Sequence, residues 1–91
     1  MRNMEIENAV TVKVLFFAKS KELAGTRESR INLPRKVAYS QLLNLITKTY
    51  NLEGIKNNIL LAKNEEVCSD TRDIEVTEFD SIAVIPPLSG G

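Results

Sequence analysis

The two most apolar strand-like segments of this chain lie at opposite ends of its body. From Val10 to Phe17 the residues alternate. Val10, Val12, Val14 and Phe16 point one way, and Thr11, Lys13, Leu15 and Phe17 point the other. Ile82-Ala83-Val84-Ile85 is short, apolar and mostly β-branched, which suits a packed position on a pleated sheet. Both segments are too apolar for a sheet edge, so both belong in the middle. A fold that seats the first and last strands side by side must also house what lies between them. The clearest intervening pattern is helical and covers residues 38–50. There Tyr39, Leu42, Leu43, Ile46 and Tyr50 fall at i, i+3, i+4, i+7 and i+11, one continuous apolar stripe. Gln41, Asn44, Thr47 and Lys48 are expected on its other side, and Leu45 lies off the stripe.

The remaining segments fill in around this frame. Ala18 to Gly25 reads as a short helical turn stopped by Gly25, with Leu23 packed beneath it. Arg27 to Leu33 alternate, Arg27, Ser29, Ile31 and Leu33 against Glu28, Arg30 and Asn32, and read as a half-buried strand ended by Pro34 and paired antiparallel with the first strand. Residues 51–58 read as a loop. Ile59 to Ala62 is a third strand, turning at Asn64-Glu65 into Glu66-Val67-Cys68 as a hairpin. Residues 69–81 are polar, with Ile74, Val76 and Phe79 interleaved. Asp70, Asp73 and Asp80 match no metal-binding spacing and read as turn residues. One helix must cover one face of the resulting mixed sheet. The expected class is α+β, a β-grasp or ubiquitin-like roll, with the last strand parallel to the first. The domain is expected over residues 10–87, after a flexible extension over 1–9 and before a flexible tail over 88–91.

Composition removes several function classes. The chain has no histidine and a single cysteine. Ser-His-Asp and Cys-His catalysis and the common zinc sites therefore have no side chains to use. Cys68 reads as a small strand residue, since nothing near it in sequence lowers its pKa. Twelve basic and twelve acidic residues cancel, which gives no electrostatic footprint for nucleic acid. No apolar run is long enough to span a bilayer. The polar start lacks the apolar middle of a signal peptide, so a cytosolic location is the expectation.

The end of the sequence carries the functional signal. After Ile85, Pro86 and Pro87 have no N–H to offer a ladder, and each fixes φ near −65°, giving the exit a defined direction. Leu88, Ser89, Gly90 and Gly91 then span roughly 13 Å when extended, at ~3.3 Å each. Gly90 and Gly91 carry no Cβ, so another protein's backbone can approach closely. Such an end suits a carboxylate that must enter a narrow channel. The plain alternative is a frayed terminus.

Two stretches resemble a known family. Lys13-Val14-Leu15-Phe16-Phe17-Ala18-Lys19-Ser20-Lys21-Glu22-Leu23-Ala24-Gly25-Thr26 resembles the opening of the small, sulfur-carrying subunits of molybdopterin synthase. Ile82 through Pro86-Pro87-Leu88-Ser89-Gly90-Gly91 resembles that family's end. Residues 1–9, and Phe79-Asp80 in place of Gly-Asp, depart from the pattern. The resemblance implies that Gly91 is the reacting residue. An activating enzyme of the ubiquitin-activating type uses ATP to adenylate its carboxylate, and sulfur from a persulfide converts it to a thiocarboxylate. The loaded tail then enters the large catalytic subunit and donates sulfur to precursor Z, a cyclic pyranopterin monophosphate, on the way to molybdenum cofactor. The implied assembly is a heterotetramer, in which the chain alone has no activity and binds no cofactor or metal.

In this reading Gly90 gives clearance and Pro86 and Pro87 aim the tail. The resemblance also implies a docking face at Phe17, Val67 and Ile85, and strand parity puts Phe17 and Ile85 outward. Two alternatives stay open. One is a related carrier or protein modifier, serving thiamin synthesis or tRNA thiolation. The other is an interaction module with an inert tail.

Overall fold

A computed structural model of the chain describes residues 9–86; residues 1–8 and 87–91 lie outside the described residues. The first strand, β1, runs Ala9–Phe16, one residue earlier at each end than the alternation suggests. Its even-numbered residues are buried, with Val12 and Val14 wholly inaccessible, as the alternation requires. Phe17 keeps an extended backbone (φ −127°, ψ 148°) but serves as the cap of helix α1, Ala18–Ala24, and does not extend the strand. Gly25 ends that helix in the left-handed region (φ 78°), where a side chain is disfavoured. Strand β2, Glu28–Pro34, follows and pairs antiparallel with β1 from Ala9 opposite Pro34 to Leu15 opposite Glu28. A short strand β3, Lys36–Ala38, leads into helix α2, Tyr39–Thr49.

Helix α2 buries Tyr39, Leu42 and Ile46 and half-buries Leu43, and Tyr50, its C-terminal cap, is half-buried as well. Thr47 corrects the expectation that it faces solvent: it is fully buried. Its methyl group joins the apolar side while its hydroxyl donates back to the carbonyls of Leu43 at 2.8 Å and Asn44 at 3.1 Å. A residue counted as polar by type thus fits an apolar face because it satisfies its own hydrogen bond one turn back. Residues 51–58 are likewise not a plain loop. Glu53–Asn58 forms 3₁₀ turns interrupted at Ile55, and Leu52 just before them is fully buried.

Strand β4 is Leu60–Lys63 and β5 is Glu66–Val67, joined by a tight turn at Asn64 (φ 51°) and Glu65 (φ 76°). Two consecutive positive φ values are the signature of the hairpin turn whose twist matches its flanking strands. Ile59 and Cys68 fall just outside these strands. Strand β6, Asp73–Glu75, emerges from the polar stretch and pairs antiparallel with β3 as a small second sheet. Strand β7, Ser81–Ile85, closes the chain body.

The main sheet has the order β2-β1-β7-β4-β5. Strands β1 and β7 are parallel neighbours in its centre, and β4 pairs antiparallel with β7. Helix α2 covers one face, and Val12, Val14, Phe16, Leu42, Ile46, Ile82 and Val84 meet in the core. Phe16 also packs edge to face on Tyr50, with ring centroids 4.8 Å apart. This is the α+β ubiquitin-like roll. No helix among the described residues is long and apolar enough to cross a membrane.

The turn before β7 is held by Asp80. Its carboxylate accepts from the Asn64 side-chain amide at 2.7 Å and from the Thr77 backbone N–H at 2.7 Å. Asn64 in turn accepts the Ser81 N–H at 3.0 Å. The bond from Asn64 holds the Asp80 carboxyl below the usual aspartate range, with the Thr77 N–H acting in the same direction. The exposed Phe79 is carried on a turn fixed by its neighbour.

Two stability measurements follow. Glu65→Gly should stabilise the chain by about 0.5–1 kcal/mol in urea unfolding, because the left-handed conformation costs a side chain more than glycine loses in entropy. Asp80→Ala should lower the melting temperature at neutral pH. Because the folded pKa of Asp80 lies below its unfolded value of ~3.9, its contribution is present above that value. That contribution disappears as the pH falls through the folded pKa, so the two melting curves should converge in strong acid.

Candidate functional site

The face of the main sheet opposite α2 is not covered by any described element. Strand parity sorts its residues into rows. Leu15 lies beside Ala83 across the parallel ladder, and Ala83 lies opposite Ala62, which pairs in turn with Val67. One step toward the chain's exit, Ile85 lies opposite Leu60, and Phe17 follows Phe16, the partner of Val84. The result is a groove of about 480 Å³, with the small side chains of Ala62 and Ala83 in its floor and Leu15, Phe17, Val67 and Ile85 among its walls. The three residues expected to form a docking face therefore do meet in one depression. Phe17, just past the end of β1, is 49% exposed and Val67, on β5, is 61% exposed, so both present apolar surface to the groove.

Ser20 fixes the groove wall at Phe17. This wholly buried side chain accepts the Phe17 N–H at 3.0 Å. Its hydroxyl donates to the Phe17 carbonyl at 2.7 Å and lies 3.2 Å from the Val84 carbonyl. One hydroxyl thereby ties the first turn of α1 to the residue just before Ile85. Two walls of the groove, from distant parts of the chain, are held in register by that contact.

Pro86 is the last described residue, half-buried and directly after Ile85. Pro86 thus sits at the groove end marked by Phe17 and Ile85. Pro87, Leu88, Ser89, Gly90 and Gly91 lie outside the described residues.

Sequence reasoning named three walls and missed the rest. Leu60 is 49% exposed beside Ile85, and its outward position was legible only once its register with β7 was known. Ala62 and Ala83 make the depression because they are small, a property that hydrophobic patterning does not distinguish. Ser20 gives no sequence signal beyond its position three residues after the cap.

Among the described residues, the other reactive groups offer no competing centre. Cys68 packs against the core, and burial pushes its thiol up, away from the thiolate form that reacts. Tyr39 accepts the Leu61 N–H at 3.3 Å, and burial pushes its phenol up as well. Among the described residues, no three cysteine, aspartate or glutamate side chains converge on a common point that would hold a metal.

Comparison with known proteins places this geometry. The profile of the ThiS family matches residues 14–91. A molybdopterin synthase sulfur carrier subunit from Anopheles gambiae is 46% identical over 91 residues, covering 97% of this chain and 100% of that one. A protein of the same name from Drosophila erecta is 46% identical over 83 residues, covering 90% of this chain and 92% of the other. Small archaeal modifier protein 1 from Haloferax volcanii superposes with a TM-score of 0.68 over 87% of this chain and 99% of that one. At 17% identity, that similarity concerns the fold alone. With its matching profile and these identities, the chain belongs to the ThiS family.

Proposed function

We propose that the chain is the sulfur carrier subunit of molybdopterin synthase, with the carboxylate of Gly91 as the group that is loaded. The observation that carries this reading is an apolar groove beside the strand that ends at Ile85, in a chain 46% identical to carriers of that name. A carboxylate anion is a poor electrophile. Adenylation by ATP, with loss of pyrophosphate, turns it into a mixed anhydride with AMP as leaving group. The terminal sulfur of a persulfide displaces AMP, and a thiol then cleaves the acyl disulfide to free the thiocarboxylate. The loaded tail delivers its sulfur to precursor Z in the large catalytic subunit. The body contributes no acid, base or metal to this sequence; it supplies a grip and a direction.

The grip is needed on energetic grounds. Ordering four tail residues costs roughly 4–8 kcal/mol, at ~1–2 kcal/mol each. Backbone pairing of the tail in a partner's channel offsets part of that. A docking face at Phe17, Val67 and Ile85, with Leu15 and Leu60 joining it, supplies the rest. The same face serves the activating enzyme and the large subunit in turn. The cytosol is the setting that such partners and a free thiol imply.

Two measurements test the reading. Intact-mass analysis after incubation with the activating enzyme, ATP and a sulfur donor should show oxygen-to-sulfur exchange confined to the C-terminal glycine. A chain extended by one residue beyond Gly91 should show none, and exchange in that chain would refute the assignment. Separately, Phe17→Asp and Ile85→Asp should each weaken binding of the large subunit by about 2 kcal/mol or more, as central apolar anchors do. Both variants should keep a cooperative melt, because these side chains face outward.

A further inference from the structure

The groove has a charged rim that the docking reading leaves unused. Lys13 lies opposite Arg30 in the antiparallel β1–β2 pair and beside Ser81 in the parallel β1–β7 pair. Its neighbours Val12 and Val14 are buried, so Lys13 stands on the groove side of the sheet; Arg30 stands there too, since Leu33 and the odd-numbered residues of β2 turn inward. Two cations directly opposite on one face destabilise a sheet. Glu28 stands on the same face, diagonal to Lys13, but no ion pair joins it to either cation. The next pair along is neutral and satisfied internally, the Thr11 hydroxyl donating to Asn32 at 2.7 Å. Among the described residues the one ion pair is Lys19 with Glu22, at 3.8 Å.

On the same side, Arg27 and Lys21 join Leu15, Phe17 and Glu28 around a shallow hollow next to the groove. The opposite rim carries a charge of the other sign at Glu65, in the β4–β5 turn, which lines the groove, whereas Glu66 pairs with Lys63 and turns to the other face. A chain of zero net charge thus presents a docking face with paired cations at Lys13 and Arg30 on one side and the carboxylate of Glu65 on the other.

We infer that the protein seated on this groove meets the β1–β2 rim with carboxylate side chains, and that Lys13 and Arg30 set its orientation and selectivity. The inference rests on the docking reading above. Charges at an interface rim act mainly on encounter and on the choice of partner, and burial of the apolar centre supplies most of the affinity. A partner carboxylate between Lys13 and Arg30 relieves a repulsion that the free chain carries. A partner with a basic rim would be rejected on the same ground.

The test uses the full chain and its large subunit, with association rates and affinity measured across a range of salt. Lys13→Glu combined with Arg30→Glu should slow association about tenfold at low salt and flatten its salt dependence. Arg30→Gln should slow association while raising the melting temperature by a few degrees, because it removes the like-charge contact. Opposite signs for binding and stability are not expected from a residue that merely supports the fold. An unchanged rate and salt slope in the double variant would overturn the inference, as would a lower melting temperature for Arg30→Gln. Phe17→Asp measured alongside separates the two readings. If it alone loses binding, the groove stands and the acidic-rim inference falls. If it binds normally, the groove itself is wrong and the inference falls with it.

Discussion

The parallel pairing of β1 with β7 is the contact on which the rest of the molecule depends. It joins the first strand of the body to the last and so closes nearly the whole chain into one loop. Such a closure must be offset by what it buries. Val12, Val14, Ile82 and Val84 are all fully inaccessible, so the central ladder is also the centre of the core. One consequence bears on function. The segment that leads to Pro86 cannot peel away without opening the most buried part of the protein, so on the proposed reading the end of β7 stays fixed while a partner acts on the residues beyond it.

The same ladder explains why one face of the sheet remains open. Each central strand alternates, and α2 is long enough to cover only one side. On that side sit branched and aromatic residues that fill space. On the other side the central positions are Leu15, Ala83 and Ala62, with Phe17, Val67, Ile85 and Leu60 around them. A bare sheet face of uniform side chains would be flat. Small residues in the floor and large ones at the margin make a shape that a complementary surface can recognise.

Most of this was legible before the structure. The alternation in β1, the stripe in α2 and the apolar run in β7 each bury a continuous face, and patterns of that kind survive in sequence. What escaped notice shares a different cause. Thr47 is buried because its hydroxyl finds a carbonyl in its own helix, a local contact that residue type alone does not reveal. Strands β3 and β6 are three residues each, too short to show a period, and they exist only because they find one another. Leu60 and Ser20 matter through partners far away in the chain, Ile85 and Val84. Within the site, parity gave the outward direction of Phe17 and Ile85, but cross-strand register was needed to bring Val67 beside them.

The separation of grip from chemistry follows from what the body lacks. Its single thiol is packed against the core and pushed away from its reactive form, and the chain has no histidine to act as a base. On the proposed reading, reactivity is therefore moved to the main-chain terminus, and the body need not change between the empty and the loaded state. Replacing one oxygen by sulfur at Gly91 leaves the groove untouched, so the groove alone cannot tell an enzyme that loads the tail from one that unloads it. Because both would use the same face, they cannot hold the carrier together. Direction in the cycle must then come from the tail, whose terminal atom is the only part of the carrier that differs between the two encounters.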